Sequence, residues 1–288
     1  MIKDREGNTV PDNGGQEKFL GFLYNNPFGF LLLKLLSRRF IANLGRVYMS
    51  SPLSKRRIGK LIKSAGIDMS EYEPGEYRSF NEFFVRKIKP EARPFDSDPG
   101  AAVSPADSKL TVCDVGEDSV YRIKSCDYRI KELLGDEDEA KYYLGGKCFI
   151  YRLSVDNYHR YHHIDPGREL YHRFIPGALH TVNPVALEKY DVFGKNCREL
   201  TVIETENFGR VAFIEVGAMM VGRITNCRAE SFSRGDEKGY FSFGGSTIVV
   251  LYGKDRVAPD ADIAANSAEG IETAVKCGDK VGTAKSRV

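Results

Sequence analysis

The chain is 288 residues long, 42% hydrophobic and 28% charged, with a formal net charge of +2. That length supports a sizeable core in one large domain or two modest ones. The composition is that of an ordinary globular protein without repeats or low-complexity tracts, and so small a net charge names no partner by itself.

The first 17 residues, MIKDREGNTVPDNGGQE, are polar and of mixed charge. They are expected to be disordered, and they lack the apolar core of a secretory signal. Residues 18 to about 66 carry apolar side chains at helical spacing, through Phe19, Leu20, Phe22 and Leu23 and then Phe30, Leu32, Leu33 and Leu36, with Pro27 and Pro52 as punctuation. From Lys34 to Lys63 there are nine basic residues and no acidic one. A stretch of one sign attracts nucleic acid or anionic lipid, unless it is only the solvated face of helices that pack on the core. The longest apolar run, Phe28 to Leu36, is interrupted by Lys34 and falls short of the roughly 20 residues that cross a bilayer. The segment is therefore not expected to span a membrane, and its apolar faces with basic neighbours suit either a membrane surface or packing on the core.

Residues 73–95, EPGEYRSFNEFFVRKIKPEARPF, begin with a turn. Ser79 then stands as an N-cap with Glu82 three residues on, and Pro90 and Pro94 end the helix. Beyond this point the character changes to β. KLTVCDV, SVYRI, KCFIYRLS, ELTVIET, RVAFIEVGAMMVGRI and STIVVLY are short strand-like runs between Gly, Asp and Asn turns, with a helical interruption over residues 129–144. The expected fold is α+β: an N-terminal helical region, 18–72, packed on a mostly antiparallel β body that forms a single catalytic domain, 73–288. The six cysteines are scattered singly, with no CxxC pair, and read as reduced thiols.

Chemistry concentrates in three places. All five histidines lie between 159 and 180, three of them in NYHRYHHIDPG after a strand. A strand-end loop is a suitable mount for functional side chains, and histidines three apart serve either as metal ligands or as a general base. Asp156 and Asp165 are the nearby carboxylates, but no HExxH motif is present. Asp107 follows a Pro-Ala step in VSPADSKL, where a plain turn aspartate is the simplest reading. Ser246 sits in SFGGSTIVVLY, between Gly244 and Gly245 and a β-branched run. An Asp, a His and a Ser on separate segments suit the arrangement in which an acid orients a histidine that deprotonates a hydroxyl. The serine is not in a GxSxG elbow, so an ordinary esterase is not the natural reading.

These stretches resemble, in order, the pyruvoyl-dependent phosphatidylserine decarboxylases. GGST stands for the family's Gly-Ser-Thr cleavage motif, YHRYH at 158–162 for its YHRxH motif, and PADS at 105–108 for its PADG-like segment. VGAMMVGRI and FSRGDEKGYFSFGGST look like the family's approach to the cleavage site. The likeness covers residues 75–285.

The resemblance implies self-cleavage between Gly245 and Ser246 into a β chain, 1–245, and an α chain, 246–288. Ser246 becomes a covalent pyruvoyl group, the cofactor, which takes the substrate amine as a Schiff base and accepts the electrons freed when carbon dioxide leaves. His162 is then the base for cleavage with Asp107 orienting it, His159 assists decarboxylation, and no metal is required. The glycines suit the strained backbone of an acyl shift. Three positions depart from the pattern: Ser108 where glycine is usual, Cys197 in GKNCREL where an acid is usual, and His163 where a small or polar residue is usual, which is assigned no role. The implied partners are an anionic phospholipid and a peripheral membrane surface rather than nucleic acid, with the α and β chains as a heterodimer or a higher oligomer of it. The implied location is the cytoplasmic face of the cell membrane. The rival readings are a pyruvoyl decarboxylase of a related serine headgroup or small amino acid, a histidine-metal hydrolase, and a non-catalytic lipid-binding β module.

Overall fold

The computed structural model describes residues 1–11, 17–26, 28–29, 32–33, 39–116, 120–123, 126–182, 191–218, 223–244 and 246–285. Gly245, Lys34 and Arg38 lie outside them. The body is a nine-stranded sheet. Its members in chain order are β1 (Ile2–Lys3), β2 (Ser108–Asp114), β3 (Lys147–Leu153), β4 (Gly167–Ile175), β5 (Arg198–Thr205), β6 (Gly209–Gly217), β7 (Ser231–Phe232), β8 (Ser246–Tyr252) and β9 (Glu272–Val275). Across the sheet they run β1-β9-β2-β3-β8-β6-β5-β4-β7. Every neighbouring pair is antiparallel except β1–β9.

STIVVLY is β8, and all seven residues are buried. A strand buried on both faces reads as a continuous apolar run rather than an alternation, which is why this segment is legible as a strand. It lies between β3 and β6 at the centre of the sheet. Two smaller sheets flank the large one. The first joins Ile224–Asn226, Glu237–Phe241 and Arg160–His162, so the histidine motif is paired to the strand that leads into Ser246. The second joins Val257–Pro259, Lys280–Ala284 and Ala101–Val103, so the chain end is paired to the strand that leads into Asp107. The α+β expectation is borne out.

The helical region is a series of short pieces: Glu17–Asn25, Arg39–Met49, a 3-10 turn at Pro52–Arg57, and Ile58–Ala65. Gly66, left-handed at φ 63°, ends the last of these. Ser79 caps Phe80–Phe84 by accepting from the Glu82 N–H, as its spacing predicts. The interruption near residues 129–144 is likewise broken, into Ile130–Leu134, Glu137–Ala140 and a 3-10 turn at Lys141–Tyr143.

One expectation needs correction. The N-terminal residues were read as disordered, yet Ile2 is buried and Ile2–Lys3 pairs with β9. The Arg5 guanidinium binds Asp262 at 2.5 Å and Asp260 at 2.8 Å. A single apolar residue in a polar stretch has no periodicity to reveal it. Residues 12–16 lie outside the described ones.

The core includes one large cluster on the sheet and a smaller one built from Met49, Ile58, Phe80, Phe83 and Phe84, with Phe243 packed against it. Ser54 ties the two halves of the smaller cluster together: its Oγ donates to the Met49 carbonyl and accepts the Phe80 N–H. The helical region is thus fastened beside Phe243, three residues before Ser246.

Candidate active site

Ser246 is the first residue of β8, opposite Leu153 on β3 and Gly217 on β6. It is fully buried, and its Oγ has no hydrogen-bond partner among the described residues. Leaving a buried hydroxyl unpaired costs about 1–3 kcal/mol, so a serine held this way at the head of a strand asks for a reason. Gly244 stands at φ 143°, a region open to glycine and costly to other residues. Phe243 is clamped just ahead of it: its N–H donates to Asn81 Oδ1 at 3.0 Å, and its ring lies 5.1 Å from Phe80 and 5.3 Å from Phe84. On the far side, Asn196 donates to the Gly217 carbonyl and Cys197 packs close to Gly217. The Cys197 departure therefore lies beside the strand partner of Ser246.

His159 occupies a dry pocket. Its ring packs at a tilt of 35° against Phe84 with centroids 3.9 Å apart, and its Nδ1 is 2.9 Å from the Asn157 carbonyl. A carbonyl only accepts, so Nδ1 carries the proton and Nε2 is the bare nitrogen. That Nε2 is buried and unpartnered among the described residues. Burial pushes the imidazole down to about 3, so it is neutral at physiological pH. Lys109 holds the loop in place from below, donating to Ser154 Oγ at 2.8 Å and Asn157 Oδ1 at 3.2 Å.

His162 has a different setting. It faces a cavity of about 360 Å³ whose walls include Lys87, Arg93, Tyr158, Glu237 and Cys277. Burial lowers its pKa, while Glu237 and Asp107 work against that shift. Its Nδ1 lies 3.3 Å from Cys277 Sγ. Asp107 is held by Arg93 in a bidentate pair, at 2.9 and 2.8 Å, and its Oδ1 accepts the Cys277 N–H at 2.8 Å. Asp107 and His162 therefore meet through Cys277 rather than directly. Neither histidine is hydrogen-bonded to Ser246 Oγ among the described residues.

The histidine motif and the serine segment are nevertheless brought together by the backbone. The Phe241 N–H donates to the His159 carbonyl, and Glu237 pairs with His162. His163 stacks on Phe232 at 3.6 Å and is pushed down to about 3 by burial, the signature of a packed structural ring. Among the described residues no group of three or more His, Cys, Asp or Glu is placed to hold a metal ion. The histidines instead diverge: one toward Phe84, one toward Cys277 and one toward Phe232.

Sequence reasoning missed Arg93, Asn157, Lys109 and Cys277, each of which touches a candidate residue. Arg93 and Cys277 come from proline- and glycine-rich turns without a pattern of their own. Lys109 reads as an ordinary polar residue in a strand.

Residues 80–283 match the family model described as phosphatidylserine decarboxylase. The chain is 46% identical over 264 residues to phosphatidylserine decarboxylase proenzyme 2 of Clostridium acetobutylicum, covering 91% of each chain. It is 42% identical over 272 residues to the proenzyme of Ruminiclostridium cellulolyticum, covering 92% of this chain and 91% of that one. Against the Clostridium botulinum proenzyme (strain 657) it is 39% identical over 276 residues, covering 93% and 94%. A match of this extent, spanning the buried serine, both histidines and Asp107 in one sheet system, places the chain in the phosphatidylserine decarboxylase family.

Proposed function

We propose that this protein decarboxylates phosphatidylserine to phosphatidylethanolamine after cutting its own chain between Gly245 and Ser246. The observation that carries the reading is the buried, unpartnered Ser246 hydroxyl, at the head of the central strand and two residues after Gly244, which stands at φ 143°. Ser246 Oγ attacks the Gly245 carbonyl carbon, and the amide becomes an ester as the proton passes to the freed nitrogen. Loss of the Ser246 Cα proton and of the Cβ–O bond then releases the β chain with a C-terminal carboxylate. The dehydroalanine left behind tautomerises, takes up water and loses ammonia, which leaves a pyruvoyl group at the start of the α chain. His162 serves as the base for these proton transfers.

The buried position of Ser246 fits such a group, because it keeps a reactive carbonyl away from bulk water. The pyruvoyl group supplies the electron sink for loss of carbon dioxide. His159, whose bare Nε2 is a proton acceptor, then assists decarboxylation by relaying to the product carbon the proton it requires, beside the Phe84 ring that covers it. The two pieces stay joined without a peptide bond. The α chain contributes β8 between β3 and β6, β9 beside β2, and Lys280–Ala284 beside Ala101–Val103.

The lipid substrate is reached peripherally. No helix among the described residues is long and apolar enough to cross a membrane. Leu44, Val47 and Leu53 are 53%, 61% and 65% exposed, and they stand next to exposed Lys55, Arg56 and Lys60. Apolar side chains rimmed by cations suit an anionic bilayer surface.

The test is a denaturing gel with the intact mass of each band. Two fragments are expected, the smaller beginning at position 246 and blocked to Edman degradation. Ser246→Ala should give one uncleaved chain without decarboxylase activity. An active preparation made only of uncleaved chain overturns the reading.

A further inference from the structure

Cys277 lies at the one place where Asp107 and His162 converge. Its N–H donates to Asp107 Oδ1 at 2.8 Å, and its Sγ is 3.4 Å from the Pro105 carbonyl and 3.3 Å from His162 Nδ1. The turn that carries it is fixed on both sides. Gly278 donates to the Ser104 carbonyl at 2.9 Å, and Ser104 donates back to the Asp279 carbonyl at 2.8 Å. Gly278 itself sits at φ 87°, where an added Cβ would come within 2.5 Å of the Pro94 oxygen. The Cys277 backbone is therefore fixed, and the thiol lies between one carbonyl and one ring nitrogen. The Pro105 carbonyl accepts only, so it takes the S–H. The sulfur is then left to accept from Nδ1–H of His162, and Nε2 becomes the bare nitrogen of the ring.

We propose that Cys277 is the positioning residue of His162: its thiol fixes the ring as the Nδ1–H tautomer, and Asp107 places that thiol by holding the Cys277 backbone. Burial and the nearby Asp107 charge push the Cys277 thiol well up, so the S–H that this arrangement needs is retained. A neutral thiol gives the ring direction without the charge that would favour imidazolium, and burial lowers the His162 pKa in the same sense. The positioning residue belongs to the segment after the scissile bond, while the histidine belongs to the segment before it. The base is thus assembled only when the future α chain has folded onto the future β chain. The consequence for self-cleavage rests on the reading of His162 as its base.

The test uses the full-length precursor in two forms. In the uncleaved Ser246→Ala chain, histidine nitrogen NMR should show Nδ1–H at His162. Adding Cys277→Ala should shift it toward Nε2–H, and Cys277→Ser, which can accept and donate at the same place, should restore Nδ1–H. In freshly synthesised Ser246 precursor, Cys277→Ala should slow self-cleavage tenfold or more at pH 7, and Cys277→Ser should cleave faster than Cys277→Ala. A His162 that remains Nδ1–H in Cys277→Ala overturns the proposal. So does a Cys277→Ala chain that folds and cleaves at the parental rate while His162→Gln does not cleave. If His162→Gln itself cleaves normally, the reading of His162 as the base fails separately, and the tautomer result still decides the role of Cys277.

Discussion

His159 and His162 are three residues apart and live in opposite surroundings. His159 is sealed under Phe84, hydrogen-bonded to a backbone carbonyl, and neutral down to about pH 3. His162 faces a cavity lined by Arg93 and Glu237 and contacts a thiol fixed by Asp107. An odd separation in extended chain sends two side chains to opposite faces. The YHRYH spacing therefore supplies two histidines with two environments, one just before and one at the end of the short strand Arg160–His162, which suits the proposed single self-cleavage followed by repeated decarboxylation. The dry side adjoins the helical region through Met49, Phe80 and Phe84, and the open side adjoins the C-terminal turn.

The largest effect should come from breaking the two sides separately. His162→Gln should leave the precursor uncut, because the hydroxyl loses its base. His159→Gln should be cut at close to the normal rate, yet lose about 10²- to 10⁴-fold in decarboxylation, the usual contribution of a positioned acid or base. A gel time course and a carbon dioxide release assay on the same samples separate the two. If both variants fail equally at both steps, the division of labour between the pockets is wrong.

How much of this was visible beforehand differs between the two sides. Ser79 with Glu82 announced the helix that carries Phe84, and the apolar run after Gly245 announced the central strand. The order PADS, YHRYH and GGST was enough to name the candidate residues. What joins them was not readable. Cys277 lies 115 residues from His162 and 170 from Asp107, and the pairings of Glu272–Val275 with Ser108–Asp114 and of Lys280–Ala284 with Ala101–Val103 bring them together. A turn cysteine beside a glycine carries no periodicity, and neither does Ile2, buried at the edge of the sheet. Local rules identify elements and motifs. Contacts between distant turns follow from sheet order, which local rules leave open.

A smaller effect concerns acid. Burial holds both His159 and His163 near a pKa of about 3 in the folded chain, against about 6.5 when unfolded. Below pH 6.5 the unfolded chain binds more protons than the folded one, so stability falls as the pH falls. At pH 5 each such histidine should cost about 2 kcal/mol relative to neutral pH. Urea midpoints of the Ser246→Ala chain at pH 7 and pH 5 measure the loss, and His163→Gln should remove about 2 kcal/mol of it. An unchanged midpoint between the two pH values contradicts the sealed character of these pockets.

The smallest effect should fall on the dry side alone. Ser54 couples the exposed Pro52–Arg57 turn to Phe80, and Phe80 and Phe84 pack on Phe243 beside the scissile joint. If lipid arrives from this side, replacing Lys55, Arg56 or Lys60 by Gln should weaken binding to phosphatidylserine-containing vesicles by about 1 kcal/mol each, or about fivefold, at low salt. If self-cleavage is the work of the His162 side, as proposed, it should proceed unchanged in the same variants. Vesicle co-sedimentation alongside a cleavage time course tests this directly. Binding that is insensitive to all three replacements moves the docking surface elsewhere. A fall in cleavage together with binding shows instead that the two sides are mechanically coupled through the Phe80–Phe84 helix.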